Sequence, residues 1–98
     1  MTSEFPIKRK DLWDSLGNVR KNDWLKAGES LDLALTVPTG GTSHVAIRKP
    51  SVPTEDIRGL VATVYEGMSK QVNGIVFREF LKAGFEEDQM WRALGKLK

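Results

Sequence analysis

The fold is decided by the stretch Leu31-Asp-Leu-Ala-Leu-Thr-Val-Pro-Thr-Gly-Gly-Thr-Ser-His-Val-Ala-Ile47. Large apolar residues alternate with smaller or polar ones from Leu31 to Val37, a pattern typical of a strand with one buried face. The Pro-Thr-Gly-Gly run at 38–41 predicts a turn, because glycine accepts the positive φ angles that hairpin loops require. A second strand follows, with Val45 and Ile47 on one face. The stretch therefore predicts a β-hairpin.

A third strand and flanking helices complete the predicted fold. Residues 60–65 (Leu-Val-Ala-Thr-Val-Tyr) are rich in β-branched side chains and predict that strand. Four apolar stripes predict helices: residues 9–16, a short helix capped by Asn22, a helix capped by Asn73 and ended by Gly84, and a last helix that starts near Glu86. We therefore expect one α+β domain over residues 1–98, a three-stranded antiparallel sheet packed on helices.

Composition excludes several classes of protein. The 98 residues include no cysteine, which rules out a disulfide scaffold, a thiol nucleophile and a cysteine-built zinc site. One histidine and dispersed carboxylates offer no set of metal ligands, so no metal is expected. The first residues lack the apolar segment of a signal peptide, and no apolar run approaches the roughly 20 residues that span a bilayer. The expected location is the cytoplasm, without membrane contact.

The three tryptophans are expected in the core. Trp13, Trp24 and Trp91 each lie within an apolar helical stripe. Such aromatic residues serve packing more often than recognition.

The single histidine, His44, is the first candidate for chemistry. Histidine is the side chain that exchanges protons most readily near neutral pH. Strand alternation puts His44 with Arg48 on the face opposite Val45 and Ile47. A histidine beside cations suits phosphodiester cleavage, where it takes a proton from a ribose 2′-OH or gives one to the leaving oxygen. Spacing alone nevertheless favours an exposed strand histidine without a function.

The net charge of +2 permits nucleic-acid binding without demanding it. Most basic residues are scattered and are expected to be solvated. Three of them, Arg48, Lys49 and Lys70, are expected to flank the end of the sheet nearest His44.

Two stretches resemble the sequence signature of HicA toxins. The first is Gly41-Thr-Ser-His-Val-Ala-Ile-Arg-Lys-Pro50, a glycine-serine-histidine turn opening a strand that ends in basic residues and proline. The second, residues 62–85, has a strand, a glycine-lysine turn, a second glycine and a helix ending in Leu81-Lys-Ala-Gly84. The resemblance covers residues 41–94. The chain differs from the family in the added Thr42, in a third strand without the family's Val-Pro-x-His run, and in an insertion around residues 22–33.

The resemblance implies a dsRBD-like α-β-β-β-α fold, here with an extra short helix near the N-terminus and one at the C-terminus. It also implies an endoribonuclease that cleaves mRNA without a metal or other cofactor and is neutralised by a HicB-type antitoxin. His44 matches the family's catalytic histidine, the general acid or base. Ser43, Arg48, Lys49 and Lys70 are then expected to contact the RNA.

Two other functions stay open at this point. A non-catalytic RNA-binding domain of the dsRBD type would use the same basic edge without histidine chemistry. A protein-interaction module would use the apolar content and the last amphipathic helix for a partner instead of RNA.

Overall fold

A computed structural model describes residues 9–36, 44–52 and 57–96 of the chain. These residues form helices and strands in the following order: α1 (Arg9–Asp14), α2 (Lys21–Ser30), β1 (Ala34–Thr36), β2 (Val45–Arg48), β3 (Leu60–Val64), α3 (Lys70–Lys82) and α4 (Glu87–Ala93). Two 3₁₀ turns, Ser15–Asn18 and Ile57–Gly59, precede α2 and β3. The predicted α+β class and α-β-β-β-α order, with extra helices α2 and α4, are confirmed, but the N-cap of α2 is Arg20 and not Asn22, which lies within the helix. The predicted turn at 38–41 and the end of the first strand at Val37 lie outside the described residues.

The three strands form one antiparallel sheet in the order β1-β2-β3. Val45 lies opposite Val64, and Ile47 lies opposite Ala62; all four side chains are buried. On the other face Ala46 lies opposite Thr63, which is exposed. The sheet therefore has one face buried under the helices and one face that carries small or polar side chains.

The helices bury their aromatic side chains against the inner face of the sheet. Trp24 stacks on Phe80 with 5.5 Å between ring centroids, and Trp91 lies 4.3 Å from Phe77. Trp24 and Trp91 are fully buried, as expected from the sequence, while Trp13 is half-buried at the edge of the core.

The motif that ends α2 takes up the first residues of the predicted strand, so β1 begins later than the sequence predicts. Asp32 adopts a left-handed conformation with φ of 61°, and the Leu33 N–H donates to the Gly28 carbonyl at 2.9 Å. The Asp32 N–H donates to the Glu29 carbonyl at 3.0 Å, which completes a Schellman motif. Leu31 to Leu33 therefore cap the helix, and the strand begins only at Ala34.

The helix α3 starts one turn earlier than the sequence predicts. Ser69, not Asn73, is its N-cap, and the Ser69 hydroxyl accepts a hydrogen bond from the Val72 N–H at 3.2 Å. The predicted end is confirmed: Gly84, at φ of 109°, follows Ala83, and the Phe85 N–H donates to the Phe80 carbonyl.

Asn73 is instead a fully buried connection between three elements. Its side-chain nitrogen donates to the carbonyls of Leu16, at 2.8 Å, and Val19, at 3.0 Å. Its side-chain oxygen accepts a hydrogen bond from the Trp24 indole at 2.9 Å. These bonds satisfy backbone carbonyls at the end of the Ser15–Asn18 turn, which explains why a polar side chain is tolerated there.

None of the helices in the described part of the chain is both long and apolar enough to cross a lipid bilayer.

Candidate functional site

His44 lies at the end of the sheet where β2 begins and β3 ends. Its side chain is exposed and contacts the half-buried Tyr65, with 5.0 Å between the ring centroids and 45° between the ring planes. The register explains this contact: Val45 lies opposite Val64, so the residue before β2 meets the residue after β3. The tyrosine ring supports the imidazole from one side while solvent reaches it from another.

The face of the sheet next to this pair is accessible. Strand alternation puts Ala46 and Thr63 on the same side of the sheet as His44 and Tyr65. Thr63 is exposed, and Ala46 is half-buried. These small side chains leave room beside the imidazole for an extended ligand.

Arg48 does not stand beside His44. The two residues are four positions apart on one strand, which separates their Cα atoms by about 13 Å. A register irregularity between Ile47 and Arg48 sets Arg48 opposite Leu60 and buries its side chain to 8% exposure. Its guanidinium lies within 3.3 Å of where a Cβ atom of Gly59 would be. Arg48 thus packs at the far end of the sheet.

Lys49 lies beyond Arg48, also at the far end of the sheet. Its backbone N–H donates to the Gly59 carbonyl at 2.8 Å, which continues the pairing of the two strands past β2. The side chain is half-buried. Of the three cations expected near His44, two therefore lie at the opposite end of β2.

Lys70 follows the His44 end of the sheet in the chain, and its side chain lies between α3 and α1. It begins α3, five residues after Tyr65, and is exposed. Its Nζ donates to Asp14 Oδ1 at 2.9 Å across the surface between α3 and α1. This hydrogen bond, with the positive charge of Lys70, lowers the pKa of Asp14 below its usual value. Exposed ion pairs contribute little to stability, so Lys70 is able to exchange Asp14 for another anion.

A pocket of about 400 Å³ lies beside the loop that joins β3 to α3. Residues 17–20 and 66–68 line it, including the exposed side chains of Arg20 and Glu66. The loop connects Tyr65 to Lys70, so this concave surface adjoins the His44 end of the sheet. Neither member of the His44–Tyr65 pair is among the residues that line this pocket.

Sequence reasoning missed Tyr65 as a neighbour of His44. The signal was present, because a two-residue alternation from Thr63 puts Tyr65 on the open face, and pairing the predicted strands then brings it beside His44. Ser43 lies outside the described residues. Among the residues that the structure describes, no three His, Asp or Glu side chains lie together as a set that could bind a metal ion.

No protein-family model, curated protein or solved structure matches this chain significantly. The candidate site therefore has to be interpreted from its own chemistry.

Proposed function

We propose that this protein is a HicA-like endoribonuclease that cleaves mRNA with His44 as general acid or base. The observation that carries the proposal is the exposed imidazole packed on Tyr65 at the open end of the sheet. The α-β-β-β-α order and the residues around His44 that resemble the HicA signature support it. The substrate would be met in the cytoplasm.

The proposed reaction needs one proton acceptor and one proton donor. The neutral imidazole of His44 takes the proton of a ribose 2′-OH, and the 2′-oxygen attacks the adjacent phosphorus. The bond from phosphorus to the 5′-oxygen breaks, which leaves a 2′,3′-cyclic phosphate and a 5′-hydroxyl that receives a proton from water or from the imidazolium. Neither step calls for a metal or another cofactor.

Lys70 is the cation that this proposal uses near the reacting phosphate. It is exposed, and its ion pair with Asp14 lies at the surface. A phosphate oxygen carries a competing negative charge, and lysine binds phosphate as a point charge. Lys49 would contact the RNA backbone one strand length away from His44.

Arg48 has a different part in the proposal. Its burial near Gly59 favours support of the strand end over direct contact with phosphate. Ser43, directly before His44 in the chain, keeps the RNA-binding role that the resemblance implies. A HicB-type antitoxin would act by covering the His44 end of the sheet.

The test is cleavage of a labelled mRNA transcript by purified wild type and by His44→Ala in the presence of EDTA. We expect wild type to cut and the variant to be slower by about 10² to 10⁴-fold, the usual contribution of general acid–base catalysis. Asn22→Ala is a matched control, because it truncates an exposed polar side chain on α2 instead of on the open face of the sheet. Equal cleavage by wild type and His44→Ala would overturn the proposal.

A non-catalytic RNA-binding domain is the second candidate. The observation that favours it is Lys70 in the first turn of the helix that follows the sheet. Duplex RNA binding that weakens with salt, is unchanged in His44→Ala and is not followed by cleavage would support it.

A further inference from the structure

A groove between α1 and α3 lies on the surface next to the Lys70–Asp14 ion pair. Its volume is about 670 Å³. We call it the α1–α3 groove and define it by Trp13 on α1 and by Lys70, Gly74, Ile75 and Arg78 on α3, all of which line it. Nothing in the RNA-cleavage proposal uses its apolar centre.

The centre of the α1–α3 groove is apolar and accessible. Ile75 is 53% exposed, the highest value for a large hydrophobic side chain among the described residues. Beside it, Trp13 is held in place by Phe77, at 4.7 Å between ring centroids, and by Trp91, at 5.6 Å. The fixed aromatic side chain and the exposed isoleucine form an apolar surface. A partner that removes this surface from water gains binding free energy.

Gly74 lies on α3 between the two cations of the groove. Glycine in the middle of a helix is unfavourable relative to alanine. Packing does not require glycine here, because a Cβ atom at Gly74 would meet no atom within 4 Å apart from its neighbours in the helix. Gly74 itself is buried, and its missing side chain leaves open the space in the groove above it.

The rim of the groove is positively charged. Lys70 and Arg78 lie one helical turn to either side of Gly74, about 12 Å apart along α3. The Arg78 guanidinium lies 5.7 Å from the centre of the Trp13 ring, which holds the cation over the groove. Asp14 is the one carboxylate among the lining residues, and Lys70 neutralises it. The surface thus favours an apolar ligand flanked by negative charge.

From this arrangement we infer that the α1–α3 groove binds an acidic amphipathic helix of a protein partner. Apolar side chains of that helix pack on Ile75 and Trp13 and fill the space that Gly74 leaves open. One of its carboxylates pairs with Arg78, and another replaces Asp14 as the partner of Lys70. A helix laid in a groove uses this pattern of apolar anchors at i, i+3, i+4 and i+7. The centre of the groove favours a protein partner over RNA, because Ile75 and Trp13 present apolar surface there, while the two cations at the rim pair with carboxylate and phosphate alike.

The test uses a synthetic peptide of about 18 residues, five helical turns, with leucines along one stripe and glutamates on the other positions. Backbone amide resonances of the labelled protein are followed by NMR during titration to about 1 mM peptide. We expect shifts at Trp13, Gly74 and Ile75. A peptide of the same composition in scrambled order should produce none of them.

Two variants test the geometry and the charge separately. Gly74→Leu fills the groove with a side chain, and Arg78→Glu reverses the charge at its rim. Both should weaken binding by about tenfold or more. The first takes up the space of the ligand, and the second sets like charges against each other. A peptide with lysine in place of glutamate should recover binding to Arg78→Glu. Arg92→Glu, an exposed charge reversal on α4, is the matched control and should bind like wild type.

Three outcomes would overturn the inference. No shift in the groove at the highest peptide concentration removes the proposed ligand. Larger shifts of the same residues with a single-stranded oligouridylate would assign the groove to RNA. Shifts that depend on the protein's own concentration, without peptide, would assign it to a second copy of the chain. All these readouts are independent of RNA cleavage, so either proposal is able to fail alone.

Discussion

The side-chain oxygen of Asn73 accepts a hydrogen bond from the indole N–H of Trp24 at 2.9 Å, in a site where both side chains are fully buried. The same asparagine donates to the carbonyls of Leu16 and Val19. One amide therefore satisfies a donor and two acceptors that have no access to water. A folded protein loses stability when a buried polar group loses such a hydrogen-bond partner.

We expect Asn73→Ala to lower the free energy of unfolding by about 3 kcal/mol, because it leaves the Trp24 indole and two carbonyls without this partner. Urea denaturation followed by tryptophan fluorescence measures the change. Asn73→Asp should be destabilised too, because its shape is kept while both donors are lost.

Gln71→Ala is the control on the same helix, since its side chain is exposed, and it should change stability by less than about 0.5 kcal/mol. An Asn73→Ala protein as stable as this control would contradict the role of the buried amide.

Two glycines should respond in opposite directions to alanine. Gly74→Ala adds a methyl group to a helix where a Cβ atom meets nothing within 4 Å beyond its neighbours, and should raise stability by about 0.5–1 kcal/mol. Gly59→Ala would set a Cβ atom 2.8 Å from Val52, and should cost about 1–3 kcal/mol. Thermal unfolding of the two variants beside wild type measures both, and a shift of equal sign would show that the packing differs from that described.

The contact between His44 and Tyr65 should be visible in the imidazole resonances. Tyr65→Leu removes the aromatic ring 5.0 Å away, so the ring protons of His44 should change chemical shift. The stability cost should stay near or below about 1 kcal/mol, as for other cross-strand pairs. Thr63→Ser, on the same face, should leave the imidazole resonances in place; if it moves them as much as Tyr65→Leu does, the contact is not the cause.

The pair of Asp14 and Lys70 predicts a pH dependence. Lys70 holds the pKa of Asp14 below the ordinary value of 3.8, chiefly through the hydrogen bond. A carboxyl with a lowered pKa stabilises the folded state above its unfolded pKa, and that contribution is lost as pH falls through the folded pKa.

Lys70→Met should therefore raise the pKa of Asp14 toward its ordinary value, as followed by carboxyl ¹³C NMR. The stability difference from wild type should be present near neutral pH and absent in strong acid. Lys82→Met, which removes an exposed lysine at the other end of α3, should leave the Asp14 titration unchanged.

Local patterns carried most of the fold. Alternating residues predict β2, β-branched residues predict β3, and the glycine at 84 predicts where α3 ends. One error was local, because the left-handed Asp32 extends the cap of α2 into the predicted first strand. Another came from a long-range contact: Asn73 is of a residue type that caps helices, but its side chain bonds the Trp24 indole and the carbonyls of Leu16 and Val19 instead.

The candidate site was predictable only in part. The sequence identifies His44. The position of Arg48, however, depends on an irregularity in the pairing of β2 and β3, and no residue type in the two strands predicts that irregularity. The groove beside Ile75 depends on how α1 and α3 pack, and the sequence alone gives only the apolar stripe of each helix.

Trp24 and Asn73 are 49 residues apart in the chain, and this separation governs the order in which the protein is completed during synthesis. A ribosome that adds about 5–20 residues per second needs roughly 2–10 s to go from one to the other. Over that interval the Trp24 indole and the carbonyls of Leu16 and Val19 lack the hydrogen bonds that Asn73 will later make with them. The first third of the chain therefore acquires this anchor only after α3 has been made, and a chain that stops before Asn73 lacks it.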